Sequence, residues 1–134
     1  MVVNLLRDDY CLLDKPANEV VGNRVQHVSF MVDASWEAPS WLQGANQLKT
    51  LLFLPRRSHG SISIPNFNVI LANMKALQVL DLAVVDCRNC HDSLREMKQL
   101  RYLRLGKSFD SLPACITNLK FLRTLDLTHT SIRV

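Results

Sequence analysis

Cys87, Cys90 and His91, in the stretch "DCRNCHDS", have the residue types and intervals of metal or redox chemistry. Cys-x-x-Cys-His is the spacing at which a c-type haem is covalently attached, and a bare Cys-x-x-Cys can serve a redox pair or half of a zinc site. Zinc needs two further ligands nearby, and neither Cys115, on a helical stretch downstream, nor Cys11, far upstream, is placed to complete the set. His91, Asp92 and Ser93 are the types of a hydrolytic triad, but adjacent residues cannot converge on one another. Asp92 or Ser93 is expected instead to cap the short helix "LREMKQ". No Gly-x-x-x-x-Gly-Lys-Ser/Thr run exists, and Gly22, Gly44, Gly60 and Gly106 are scattered, so no phosphate cradle of that kind forms. The expectation is a protein without catalytic residues, cofactor or metal.

Composition narrows the classes further. The 134 residues, 48% apolar, make one domain with enough material for a core, and the net charge of +4 (pI near 9.1) is mild. No basic run exceeds Arg56-Arg57 and aromatics are sparse, which argues against nucleic acid; a weak preference for acidic surfaces is all the charge supports. The apolar start "MVVNLLRDD" is too short for a signal peptide, and no run of 18 apolar residues exists to span a membrane. The four cysteines are accordingly expected as reduced thiols in the cytoplasm, which also weighs against haem attachment.

An internal repeat organises the chain. "LQVLDL" from Leu77, "LRYLRL" from Leu100 and "LRTLDL" from Leu122 share the template Leu-x-x-Leu-x-Leu, at spacings of 23 and 22 residues. Weaker copies are "LKTLLF" from Leu48 and "VQHVSF" from Val25, at spacings of 29 and 23. Six residues before each of the last four starts stands Leu42, Leu71, Leu94 or Ile116, and three before stands Ala45, Met74, Met97 or Leu119, one face of a short helix. Strands of this signature at a period of 20 to 29 are leucine-rich repeats. Residues 4 and 6 of each strand point into the core, and no repeat buries its apolar face without a neighbour. The expected fold is an α/β solenoid: a parallel sheet of about five strands on the concave side, with short helices and loops on the convex side. Strands are expected near 25–31, 48–54, 77–83, 100–106 and 122–128, within a repeat segment 24–134 that is cut short at its C-terminus. Residues 1–23 read as a lead-in without repeats. The 29-residue repeat implies an extra surface loop around Pro55, Gly60 and Pro65.

Repeat register assigns the two cysteines. Cys87 and Cys90 fall in slots that hold Ile132, Phe109 and Leu112 in other repeats, so both are expected to be small buried hydrophobes. His27, His59 and His129 read as solvated residues, Arg56-Arg57 as a loop tip, and Trp36 and Trp41 as packing over the solenoid end. The exposed strand positions remain: Val79, Asp81 and Ala83; Tyr102, Arg104 and Gly106; Thr124, Asp126 and Thr128. Thr50, Leu52 and Leu54 continue the columns, as do His27, Ser29 and Met31. Concave solenoid faces bind macromolecules, so Val79, Asp81, Tyr102, Arg104, Thr124, Asp126 and Thr128 are the candidate partner-binding residues. In the middle column Arg104 is expected between two carboxylates.

Laid out in this way, "VQHVSF", "LKTLLF", "LQVLDL", "LREMKQLRYLRL" and "SLPACITNLKFLRTLDLTHTSI" resemble plant intracellular immune receptors of the nucleotide-binding leucine-rich-repeat class. "CLLDK" followed by "VQHVSF" is similar to the junction between the family's nucleotide-binding module and its first repeats. Cys90-His91 departs from the family's Leu-Pro. The resemblance implies a defence role in which the repeats recognise pathogen effectors or host guardees, or restrain the nucleotide-binding module. It also implies a fragment or truncated product, since no such module is encoded here. A Ras-suppressor-like scaffold is the alternative, although such scaffolds keep uniform 23-residue repeats; a Cys-x-x-Cys-His haem or redox protein is the remote one.

Overall fold

The computed structural model of the chain describes residues 10–13, 25–56 and 60–133. Six parallel strands lie in sequence order in one sheet: β1 (Tyr10–Leu13), β2 (His27–Val32), β3 (Thr50–Pro55), β4 (Val79–Asp81), β5 (Tyr102–Arg104) and β6 (Thr124–Asp126). The returns between strands run through a 3₁₀ turn at Ser40–Gly44, helix α1 (Phe67–Ala72), helix α2 (His91–Glu96) and a second 3₁₀ turn at Ala114–Asn118. This is the expected α/β solenoid, and of the four return elements among the described residues two are too tight for α-helix.

The template explains the register. Its second residue is a rung of a backbone ladder: Lys49 donates to Gln26, Gln78 to Lys49, Arg101 to Gln78 and Arg123 to Arg101, at 2.7–2.8 Å. The strands proper begin just after this rung, two residues later than each template. First, fourth and sixth positions turn inward, and Leu48, Leu51, Phe53, Leu77, Leu80, Leu82, Leu100, Leu103 and Leu105 are buried. From the convex side Leu42, Leu71, Leu94, Met74 and Met97 close the same core, whereas Ala45 and Ile116 are half-buried. Leu122, Leu125 and Leu127 remain half-buried, because no further repeat covers them among the described residues.

Several details differ from expectation. The sheet has a sixth strand, β1, within residues 1–23, and it pairs with β2 from Tyr10↔His27 to Leu13↔Phe30. On the template this copy would start at Asp8, 17 residues before Val25, with Cys11 and Leu13 at the fourth and sixth positions. The acidic first position and short spacing hide it. Trp36 packs inside rather than over an end, and half-buried Trp41 packs beside it on Phe30. Trp36 lies 5.1 Å from Phe30 and 5.7 Å from Phe53, ring centre to ring centre, and Phe53 in turn meets Phe67 at 5.7 Å. Helix α2 begins at His91, so neither Asp92 nor Ser93 caps it; the Ser93 hydroxyl donates instead to the Asn68 carbonyl of the preceding repeat. Leu112, assigned to a core slot, is 48% exposed.

Cys87 and Cys90 do occupy core slots, 1% and 2% exposed, but they are joined by a disulfide rather than left as thiols. The turn between them, closed by a Cys90 N–H to Cys87 carbonyl bond, sets their Cα atoms 5.4 Å apart, within bridging range. His91, the third member of the motif, stacks on Phe109. Cys115 is a buried free thiol, and burial pushes its pKa up.

Candidate interaction surface

Strand alternation brings the concave residues onto one surface. Val79, Tyr102 and Thr124 are direct Cα partners across β4, β5 and β6, and so are Asp81, Arg104 and Asp126. Strands in such a sheet lie about 4.8 Å apart, a span that a guanidinium can bridge in both directions. Arg104 Nη1 stands 3.4 Å from Asp81 Oδ2, and its Nε stands 3.5 Å from Asp126 Oδ2. Nε finds no directed hydrogen bond at that range, so its attraction to Asp126 is that of charge. Tyr102 donates its hydroxyl to the same Asp126 oxygen at 3.4 Å.

The two aspartates have a second task in the backbone. Asp81 Oδ1 accepts the Ala83 N–H at 2.9 Å, and Asp126 Oδ1 accepts the N–H and the hydroxyl of Thr128 at 2.9 and 2.6 Å. Each carboxylate thereby mimics a turn and ends its strand. The Thr128 bonds are the main reason the Asp126 carboxyl is held below the usual range, with Arg104 and Tyr102 adding to them. Tyr102 is shifted upward, first by desolvation and then by the charge of Asp126.

The structure therefore gathers Asp81, Tyr102, Arg104, Asp126 and Thr128 into one connected group, with Val79 and Thr124 beside it. Upstream, His27 Nδ1 and Thr50 Oγ1 share a separate hydrogen bond of 2.8 Å. Arg56, read as a solvated loop tip, pairs with Asp33 at 3.6 Å; Arg57 and His59 lie outside the described residues. The group can present shape, hydrogen-bonding groups and a nearly balanced charge to another surface. Among the described residues no group of three His, Cys, Asp or Glu converges as a metal site.

Sequence reasoning missed a recess at the carboxyl ends of the strands. Phe53, Leu54, Pro55, Gly60, Ser61, Asp81, Ala83, Val84, Arg104, Lys107 and His129 enclose about 260 Å³ there. The one available signal is the 29-residue repeat, whose extra residues do more than loop outward. Its residue Ile62 forms a parallel bridge with Val85, donating to the Val84 carbonyl and accepting from the Asp86 N–H at 2.7 Å each.

No helix among the described residues is long and apolar enough to cross a membrane. Residues 57–134 match a protein-family model described as a leucine-rich repeat region. Neither a curated protein nor a solved structure matches the chain. The matched residues cover more than half of the sequence and include three of the stacked strands, and the chain belongs to the leucine-rich-repeat family.

Proposed function

We propose that this chain is a non-enzymatic recognition segment of a plant intracellular immune receptor, acting through its concave face. Leucine-rich repeats serve protein interaction, and the observation that carries the reading here is the Asp81–Arg104–Asp126 column with Tyr102 across it. Its groups are already paired, so a docking partner does not have to desolvate isolated charges. The resemblance of "SLPACITNLKFLRTLDLTHTSI" to the receptor class supplies the defence setting, inside the cell. The repeat spacings of 23, 29, 23 and 22 depart from the uniform length of a Ras-suppressor-like scaffold. The partner is a pathogen effector, a host guardee or the nucleotide-binding module of the same receptor class.

The test is co-expression of the chain in leaf cells with a nucleotide-binding module of that class, and affinity measurement on the purified pair. A complex that Tyr102→Ala weakens roughly tenfold or more supports the reading. A complex indifferent to Tyr102→Ala and to Thr124→Arg overturns the role of the concave face. No complex with any module of the class overturns the autoregulatory role.

A further inference from the structure

The sheet is continuous on the β2 side of β3 and split on the β4 side. β3 pairs with β2 over all six of its residues, from His27↔Thr50 to Val32↔Pro55. It pairs with β4 at only two positions, Thr50↔Val79 and Leu51↔Leu80. Past Asp81 the chain stays with β5, with the Leu82 N–H on the Arg104 carbonyl at 2.8 Å. Ile62, from the long repeat, takes the place beside Val85. The recess of about 260 Å³ lies in this split, a size that suits one or two protein side chains better than a drug-sized ligand.

Its walls differ in chemistry. Phe53, Leu54, Pro55, Ala83 and Val84 form an apolar side, and Asp81, Arg104, Lys107 and His129 a polar one. The Asp81 charge is matched by Arg104 and by the Ala83 N–H. Lys107 is exposed and forms no ion pair among the described residues, and neither does exposed His129. Arg104 is shared between Asp81 and Asp126, which leaves Lys107 as the lining cation that an occupant's carboxylate can meet, beside an apolar wall.

We propose that the split between β3 and β4 is a docking recess for a partner protein segment that presents an aromatic or large aliphatic side chain directly followed by a carboxylate. The apolar side chain sits against Leu54, Pro55, Ala83 and Val84, and the carboxylate meets Lys107 at the rim. The inference rests on the protein-interaction reading and deepens it, because it names the partner's chemistry at one place.

Three capped dipeptides serve as probes in amide-resolved NMR titrations of the 134-residue chain: acetyl-Phe-Glu-amide, acetyl-Phe-Lys-amide and acetyl-Ala-Glu-amide. The expected result is saturable shifts at Ser61, Ala83, Val84 and Lys107 with Phe-Glu, and affinity roughly tenfold weaker for each control. Lys107→Glu should reverse the preference between Phe-Glu and Phe-Lys. Gly60 lines the recess and a Cβ there meets nothing within 4 Å, so the fold tolerates Gly60→Phe, which should weaken binding by crowding the recess. Equal response to all three peptides, no response, or unchanged binding in Gly60→Phe overturns the proposal. A receptor-module complex lost in Tyr102→Ala but untouched by Gly60→Phe also overturns it and leaves the concave-face reading standing. Peptide binding at the recess without any module complex does the reverse.

Discussion

The two halves of the concave face differ in strand length, in what lies behind them and in what stops them. β2 and β3 run six residues each over a cluster of Phe30, Trp36, Phe53 and Phe67; β4, β5 and β6 run three residues each over leucines. The position of an aspartate accounts for the contrast at β4 and β6, though not at β5, which carries Arg104 there. In β4 and β6 it stands at the fifth template residue, Asp81 and Asp126, and its carboxylate captures the N–H two residues on. In the β2 copy the fifth residue is Ser29, and the equivalent turn waits until Asp33 captures the Ser35 N–H. β3 has Leu52 at that place and runs on to Pro55, where the Arg56 N–H closes the pairing with β2 on the Val32 carbonyl at 2.9 Å. Where long β3 meets short β4, the sheet must part. At β4 the aspartate turn thus ends the strand early and, through that, opens the recess, although β5 is equally short with Arg104 at the same place.

If the aromatic cluster is what holds the long-stranded half, truncating its centre is the most damaging single change. Phe53→Ala should cost about 3–5 kcal/mol in urea unfolding. Leu105→Ala, at the same template position just past β5, should cost less because it removes a smaller side chain. Equal losses would mean that the cluster confers nothing beyond ordinary burial. The short-stranded half has a different weak point. A Cβ on Gly106 would stand 2.3 Å from the Ala83 carbonyl oxygen and 2.7 Å from that of Leu82, both backbone. Gly106→Ala should therefore push β4 and β5 apart at a cost of about 1–3 kcal/mol, unlike Gly44→Ala, where nothing lies within 4 Å. Equal melting temperatures for the two variants would contradict this close approach.

The Cys87–Cys90 bridge belongs to the short-stranded half and should matter less. It closes a loop of only four residues, worth about 2 kcal/mol in the chain-entropy account. Dithiothreitol should lower the melting temperature of the parent chain and leave Cys87→Ala/Cys90→Ala unchanged. Equal sensitivity of the two, or none in either, would show that the bridge is absent in solution.

What could be read from the sequence was the part fixed by periodicity. Leu-x-x-Leu-x-Leu placed the inward leucines of β3 to β6 and the alignment of Asp81, Arg104 and Asp126, because side chains alternate and each repeat restarts the count. Periodicity cannot tell two buried thiols from a bridged pair, since both fill the same slots; the bond depends on how the turn after Cys87 brings the Cα atoms together. Nor does it foresee the recess, which arises from a mismatch between neighbouring strands rather than from any residue pattern within one. β1 escaped because Asp8 stands where its first leucine would be.

The smallest expected effect tests the charged column, where the two halves differ in chemistry as well as shape. Arg104 is 27% exposed along its side chain, and both pairings are open to water and screened by it, so each is weak. Arg104→Gln removes both pairings. Arg104→Glu also places three carboxylates in a row and should be the less stable of the two, with a gap that narrows in high salt. Acid should narrow it as well. The Asp126 carboxyl is held below the usual range, chiefly by Thr128, so its contribution to the parent fold is present above the unfolded value of about 3.9 and is lost as pH falls through the lower folded value. In Arg104→Glu, protonation relieves repulsion instead, and the deficit against parent should shrink as pH drops toward about 4. Thr128→Val separates the two influences, because it removes the hydroxyl bond and leaves Arg104 in place. Its Asp126 carboxyl, followed by NMR titration, should move up toward the ordinary range. No upward movement would show that the Thr128 backbone N–H and the guanidinium, not the hydroxyl, hold that charge.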